Sequence, residues 1–437
     1  MKAIIQAGGK GTRLKNITKG EIPKPMVPIC GKPLLQWQLE KLRENEIVDI
    51  YIIIGYLGEV IRQYFGDGTA YGVQIKYIEE TEPLGSAGAL FYMRPYVRQE
   101  EDILMVYGDV FFDICLERMV AFHKDRLSEL TTFVHPNTHP EDSDIVCADE
   151  NQRVTGILSK GEMRDFWYEN QVNAAFYILK GSVIHEVPSA CKLDFEQDIM
   201  KRGIEQGKKI YAYRSTEYIK DAGTEKRMRS VGADIVSGYI EKRNLRNKQK
   251  CIFIDRDGTV NQFKGLIDKE EKLELIEGAA QGIGRANVSQ YLVIIVTNQP
   301  VVARGMCSID DVERIHKKLQ TLLGKEGVYV DDIAYCPHHP NKGYPGENPE
   351  YKIKCNCRKP HIGLIEKMAE KYNISLRDSW MVGDTTRDIM AGKNAGMKTA
   401  LVLTGEAGKD RIYNVQADMV FQDLYEAVTH ITQEKIV

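Results

Sequence analysis

At 437 residues, with 43% hydrophobic and 28% charged side chains, the chain is too long for one small core and reads as two or three ordinary globular domains. A formal net charge of −3 supplies no global field for nucleic acid or an anionic membrane, so a small anionic substrate must find local basic residues. No apolar run reaches the ~18 residues of a membrane span, and MKAIIQAGG meets Gln6 too early for a signal peptide, which together predict a cytoplasmic protein.

The pattern alternates from the first residues: strand KAIIQA, helix LLQWQLEKLRENEI, strands DIYIIIGY and QIKYIEE, helix SAGALFYMRPYV, then strand DILMVYGD. Short apolar strands between amphipathic helices predict a mostly parallel α/β sheet. After Asp234, IVSGYIEKRNLRNKQK is polar and basic in its second half and reads as an exposed helix or linker. A second alternation follows it: CIFID, GAAQGIGRANVSQ, YLVIIVTN, IDDVERIHKKLQTLLGK, DIAYC, HIGLIEKMAEKY, SWMVGD, TRDIMAGKNAG and KTALVLT. Of nine cysteines, Cys30, Cys115, Cys147, Cys191, Cys251 and Cys307 lie singly in apolar segments, which predicts buried reduced thiols rather than disulfides.

Directly after the first strand, AGGKGTR offers Gly8, Gly9, Gly11 and Thr12 as a backbone cradle for a polyphosphate, with Arg13 beside it. It is neither a Walker sequence nor GxGxxG. In IPKPMVPICGKP, prolines on both sides of Lys24 hold its ammonium in place, as a group that offsets phosphoryl charge requires. With GGKGTR and PKP, the first 235 residues resemble the sugar nucleotidyltransferases, which join a nucleoside triphosphate to a sugar 1-phosphate and release pyrophosphate. TEPLGSAGAL, with Glu82 and Gly85, matches that family's base-binding segment. VYGDV and KDAGT match its two metal aspartates, Asp109 and Asp221. LSKG and NAAFYIL occupy the sugar-phosphate side, where the resemblance implies that Lys160 contacts the phosphate and Asn173 a hydroxyl. Ser159 and Gly161 flank the lysine here, where the family usually has an acidic neighbour. The Glu82 carboxylate can accept from both N1 and N2 of guanine, an edge that adenine, uracil and thymine lack, so the expected nucleotide is GTP.

The second half carries IFIDRDGTVN, in which Asp255 and Asp257 project to one side of an extended segment. VTNQ (Thr297, Asn298), CRKP (Arg358, Lys359) and MVGDTTRD (Asp384, Asp388) follow in order. That order resembles the haloacid dehalogenase superfamily of phosphatases. The resemblance implies that Asp255 attacks phosphorus, Asp257 is acid and base, Thr297 and Lys359 hold the phosphoryl group, and Asp255, Asp384 and the Asp257 carbonyl bind Mg²⁺. Asp388 is expected to orient these ligands. CPHHP and KCNCRKP place Cys336, His338, Cys355 and Cys357 as three thiols and an imidazole in two short pairs, the donor set of a closed structural Zn²⁺ site. His339 is the alternative imidazole, with His338 favoured by the one-residue gap that matches C-x-C. With the zinc loop, residues 250–437 resemble the D-glycero-D-manno-heptose 1,7-bisphosphate 7-phosphatases, among which Arg304 and Arg358 would grip the phosphate that is kept. A Pro300-Val301 pair stands where that family usually has a small, flexible dipeptide.

The fold expected is therefore α/β with two Rossmann-like domains: a GT-A-like nucleotidyltransferase domain (1–235), a linker (236–249) and a haloacid-dehalogenase-like domain with a zinc loop (250–437). In series, a phosphatase that makes a heptose 1-phosphate feeds a transferase that consumes one, which implies a bifunctional enzyme making GDP-D-glycero-α-D-manno-heptose. Its partners would be nucleoside triphosphate and heptose phosphates, with Mg²⁺ in both sites and neither nucleic acid nor membrane; homo-oligomerisation is compatible with the sequence. The alternatives are a hexose 1-phosphate nucleotidyltransferase fused to another phosphatase, such as a histidinol-phosphate phosphatase, or a chain with one non-catalytic regulatory half.

Overall fold

A computed structural model describes residues 1–9 and 18–433. The chain divides into two compact units, Met1–His135 with Val146–Leu158 and Val172–Asn244, and Pro136–Ile145 with Ser159–Gln171 and Leu245–Val437.

The first unit is built on a nine-stranded sheet whose main path runs Val154–Leu158, Ile145–Ala148, Val172–Lys180, Asp102–Tyr107, Lys2–Gln6, Asp49–Ile54, Gln74–Glu79. Lys2–Gln6 pairs in parallel with Asp49–Ile54 and with Asp102–Tyr107, and Asp49–Ile54 in parallel with Gln74–Glu79. Val172–Lys180 runs antiparallel to Asp102–Tyr107, so the sheet is mixed. Alternation sorts the central strands onto two faces. Ala3, Ile5, Ile50, Ile52, Leu104 and Val106 join one buried cluster. Ile4, Tyr51, Ile53, Ile103 and Met105 join the other. Both faces being covered explains why these strands are continuously apolar.

The second unit holds a six-stranded sheet in the order Asp332–Cys336, Tyr291–Asn298, Lys250–Ile254, Trp380–Gly383, Lys398–Val402, Met419–Phe421, all neighbours parallel. Chain order reverses about Lys250–Ile254, and the carboxyl ends beside such a reversal form a crevice where parallel sheets place their ligands.

Three expectations are corrected. SAGALFYMRPYV is not an α-helix: Gly88–Tyr96 is 3₁₀, with Pro95 inside it. Proline lacks the N–H that an α-helix needs, and a Cβ on Gly88 would stand 1.9 Å from the Cys191 carbonyl oxygen. Of the six single cysteines only Cys115 and Cys251 are buried: Cys147, Cys191 and Cys307 are half-buried, and Cys30 is exposed, because Cys30 and Gly31 (φ 49° and 82°) form the turn between the short strands Pro28–Ile29 and Lys32–Pro33. The stretch after Asp234 is not uniformly exposed: it contains the helix Tyr239–Arg243, and Ile240, Arg243, Asn244, Leu245 and Gln249 are buried. None of the nine cysteines is in a disulfide.

Candidate active sites

In the first unit, Asp221 closes the strand Tyr218–Asp221, which pairs antiparallel with Val110–Asp113 so that Asp221 lies opposite Val110. The Ala222 N–H donates to the Asp109 carbonyl (2.8 Å), which seats the two aspartates side by side. Gln38 fixes the turn before Asp109 by donating to the Tyr107 and Val110 carbonyls at 2.9 and 2.7 Å. Lys24, in the turn Lys24–Met26, makes an ion pair with Asp109. A Cβ on Gly223 would stand 2.6 Å from both the Lys24 Nζ and the Asp221 Oδ1, so only a residue without a side chain fits between them. Arg227 pairs with Asp221 from the following helix. Two carboxylates, Asp109 in a turn and Asp221 at a strand end tied to it, offer the oxygen donors that Mg²⁺ takes. Gly11, Thr12 and Arg13 lie outside the described residues.

Glu82 is exposed, whereas Glu80 is 9% exposed and its Oε1 has no hydrogen-bond partner among the described residues. Burial pushes Glu80 up to about 7, against the opposing hydrogen bonds of Gln6 and the Leu84 backbone. A Cβ on Gly8 would stand 2.3 Å from its Oε2, so Glu80 faces the start of the glycine-rich loop, while Gly9 has open space. Gln6 donates to the Gly85 carbonyl (3.1 Å), and Gly85 adopts φ 75° against Leu193, tying the TEPLG segment to the first strand. Sequence reading missed Glu80, although its place two residues after buried Ile78 was a signal.

Asn173 donates to the Tyr177 hydroxyl (2.8 Å) and Glu196 (3.2 Å) and accepts from Thr132 (2.8 Å). Tyr177 and Tyr107 also donate to Glu196, another residue the sequence did not single out. Lys160 is exposed and folds with the second unit, its N–H donating to Asp144 (2.8 Å).

In the second unit, Asp255 follows the strand Lys250–Ile254, Thr297 and Asn298 end Tyr291–Asn298, and Asp384 follows Trp380–Gly383, all at the same sheet edge. One carboxylate oxygen from each of Asp255, Asp384 and Asp388 lies within 4.8 Å of the others. Lys359, 3% exposed, donates to Asp255 (2.7 Å) and pairs with Asp388 (2.6 Å). Asp388 is further occupied by the Thr385 hydroxyl (2.6 Å) in a capping box. Burial, then Asp388 and Asp257, outweigh Lys359 and push Asp255 up to about 6. Burial, then Asp255 and Asp388, push Asp384 up to about 8. Asp384 Oδ2 accepts from the Glu406 N–H (2.7 Å), while its Oδ1 is buried with no partner among the described residues. Gly258 and Gly405 make this approach feasible: a Cβ on either would stand 2.3 or 2.1 Å from Asp384 Oδ2. An orphaned carboxylate oxygen within a buried cluster of like charge fits a divalent cation.

Asp257 lies outside that group, its carboxylate held by Arg256, Asn261 and Gln299. Gln299 also donates to the Thr297 hydroxyl (2.9 Å). Asn298 and Lys359 exchange two hydrogen bonds, at 3.0 and 2.9 Å. Arg358 donates to the His338 carbonyl (3.2 Å), and burial, then Arg387, lowers its pKa. Arg304 lies over the Tyr344 ring (4.3 Å). Arg387, unnoticed in the sequence, adds a third guanidinium beside Arg358.

Cys336, His338, Cys355 and Cys357 form one group that could hold a metal ion. Their Sγ and Nδ1 atoms stand 3.2 to 3.7 Å apart. Ligands of a tetrahedral ion bound at ~2.3 Å from sulfur stand about 3.7 Å apart. His339 faces the Asn341 carbonyl instead (3.4 Å). No helix among the described residues is long and apolar enough to cross a membrane.

Comparison with known proteins finds two families along the chain. Residues 2–237 match the Nucleotidyl transferase family and residues 356–427 the HAD-hydrolase-like family. A D-glycero-beta-D-manno-heptose-1,7-bisphosphate 7-phosphatase from Haemophilus ducreyi is 35% identical over 189 residues, 42% of this chain and 98% of that protein. A mannose-1-phosphate guanylyltransferase from Mycobacterium tuberculosis is 32% identical over 246 residues, 56% of this chain and 67% of that protein. The crystal structure of HddC from Yersinia pseudotuberculosis complexed with GMP-PN is 25% identical, covers 54% of this chain and 99% of its own, and superposes with a TM-score of 0.47.

Proposed function

For a chain that belongs to the nucleotidyl transferase family in its first half and to the heptose-bisphosphate phosphatases of the HAD-hydrolase-like family in its second, we infer two consecutive reactions. The enzyme removes the 7-phosphate of D-glycero-D-manno-heptose 1,7-bisphosphate, then transfers GMP from GTP to the heptose 1-phosphate. The product is GDP-D-glycero-α-D-manno-heptose, with pyrophosphate released. The observation that carries this reading is the buried Asp255, Asp384 and Asp388 cluster on the same chain as the paired Asp109 and Asp221.

In the phosphatase, an oxygen of Asp255 attacks phosphorus and the bond to the sugar C7 oxygen breaks, that oxygen taking a proton from Asp257. Water then attacks the aspartyl phosphate as Asp257 takes its proton, and the bond to Asp255 breaks. Lys359 and Thr297 offset and orient the phosphoryl oxygens. Asp255, Asp384 and the Asp257 carbonyl would hold Mg²⁺, which would supply charge neutralisation at the phosphoryl group. Arg304 and Arg358 would grip the retained 1-phosphate, and Cys336, His338, Cys355 and Cys357 would hold a Zn²⁺ that fixes the loop carrying Arg358.

In the transferase, the sugar phosphate oxygen attacks the α-phosphorus and pyrophosphate departs, so positioning and charge neutralisation supply most of the rate. Asp109 and Asp221 would hold Mg²⁺, Lys24 and Arg13 would offset charge on the phosphates, and Asn173 would contact a sugar hydroxyl. The base is read by Glu80 rather than by the exposed Glu82: a buried acceptor with a free oxygen gains most from the paired N1 and N2 donors of guanine. Incubating the chain with the bisphosphate and each of the four nucleoside triphosphates tests the reading. A GDP-heptose formed only with GTP is expected, and a nucleotide sugar made equally well from every triphosphate would overturn the base assignment.

A further inference from the structure

We propose that Arg256, braced by His316, is the positioning residue that holds Asp257 for the water-attack step of the phosphatase. This rests on the reading of Asp257 as the acid and base.

Arg256 is 0% exposed, although it lies between two aspartates at a ligand-facing sheet edge. Its Nε donates to Asp257 Oδ1 (3.1 Å), and its Nη2 donates to both Oδ1 and Oδ2 (3.0 Å each). Asn261 adds a donor to Oδ1 (3.0 Å) and Gln299 one to Oδ2 (2.9 Å). All five bonds run toward the carboxylate, so this arrangement presents Asp257 as an acceptor, the role that activating water requires. The backbone is fixed as well: the Arg256 carbonyl accepts from the Val260 and Asn261 N–H groups at 2.9 and 3.1 Å.

The remaining guanidinium nitrogen, Nη1, donates to His316 Nε2 (3.2 Å). His316 lies on the buried face of the helix Ile309–Lys325 with Val312, Ile315 and Leu319, its ring 5.0 Å from that of Tyr335. Burial and Arg256 both hold His316 well below its usual range, so the ring is neutral and Nε2 accepts. A buried ion pair contributes little net stability against its desolvation, so stability alone does not account for a buried arginine here. The fork geometry does, because it fixes both oxygens of one carboxylate in a single orientation.

The step served is balanced within the site. A water oxygen bonds to phosphorus as its proton passes to Asp257, and the phosphorus–oxygen bond to Asp255 breaks, its electron pair returning to the Asp255 carboxylate. With Asp257 misplaced both of its proton transfers suffer, and the water attack suffers more, because the five hydrogen bonds fix the carboxylate as the acceptor that this step uses.

The experiment traps phosphoenzyme by acid quench during turnover of the bisphosphate, in full-length Arg256→Met, His316→Leu and His316→Gln. Arg256→Met is expected to lower turnover by roughly a hundredfold, to lower KM along with it because the slowed step follows phosphoenzyme formation, and to accumulate phosphoenzyme, within the loss usual for one positioned acid–base group. His316→Leu is expected to do the same more weakly, and His316→Gln, which keeps an acceptor, to restore turnover to near the parent. Should Arg256→Met fail to fold, the two His316 variants decide. Turnover lost without phosphoenzyme, or His316→Leu and His316→Gln behaving alike, overturns the proposal. Asp257→Asn separates the levels: if it leaves dephosphorylation at the parent rate, the underlying reading of Asp257 fails; if it stalls while Arg256→Met does not, only the present proposal fails.

Discussion

Emptying the phosphatase site of metal at alkaline pH should cost stability that Mg²⁺ restores. Asp384 is 0% exposed and raised from 3.8 to about 8 by burial, then by Asp255 and Asp388. A carboxyl raised in this way binds more protons folded than unfolded across that window, so its contribution to stability is present at low pH and lost as pH rises through the folded value. At 1.36 kcal/mol per pH unit, holding Asp384 ionised costs on the order of 5 kcal/mol, comparable to the whole stability of a small domain. Asp255, raised to about 6, steepens the same slope at lower pH. A cation across these carboxylates offsets the penalty, and saturation at a hundredfold its Kd returns ~2.7 kcal/mol in all. Calorimetric scans of the full chain at about pH 6 and about pH 8.5, with Mg²⁺ or with chelator, read this directly. One transition should fall with pH in chelator, recover with Mg²⁺, and in Asp384→Asn lose the recovery with Mg²⁺ and most of the fall with pH. Transitions that are flat with pH and indifferent to Mg²⁺ would refute the reasoning.

Glu80→Gln should weaken GTP binding by about 10- to 100-fold, the worth of a charged hydrogen-bond pair, while Glu82→Gln changes it little; competition among the triphosphates measures both. For the parent, KM for GTP should rise as pH falls below about 7, where Glu80 loses its charge; a flat profile with pH would count against it. Cys357→Ser should reduce bound zinc, by elemental analysis, and lower phosphatase turnover through Arg358 while transfer persists. Asp221→Asn should abolish transfer from heptose 1-phosphate and leave phosphate release intact, as coupled assays of the two products would show.

Much of this arrangement was legible in the chain. Tyr291–Asn298, Ile309–Lys325 and Asp332–Cys336 follow the predicted segments to the residue, because apolar periodicity and turn chemistry agree there. The Cys336 and His338 group was legible because short paired spacings leave few other geometries. What escaped depended on tertiary packing. Glu80 and Glu82 look alike in sequence, and only the fold buries one and leaves an oxygen of it unpaired. Arg256 reads as an exposed charge between two aspartates until the His316 helix face covers it. The stretch 86–97 is apolar enough to read as a helix, but Pro95 inside it lacks the N–H that an α-helix needs.

The most direct measurement follows phosphorus resonances while the parent enzyme and Asp255→Asn act on heptose 1,7-bisphosphate with GTP and Mg²⁺. The parent should release orthophosphate and pyrophosphate in equal amounts as the nucleotide sugar forms. Asp255→Asn should yield none of these from the bisphosphate yet form pyrophosphate and the nucleotide sugar from heptose 1-phosphate. Nucleotide sugar formed by Asp255→Asn from the bisphosphate, or orthophosphate released by the parent with no nucleotide sugar, would contradict two reaction centres acting in series.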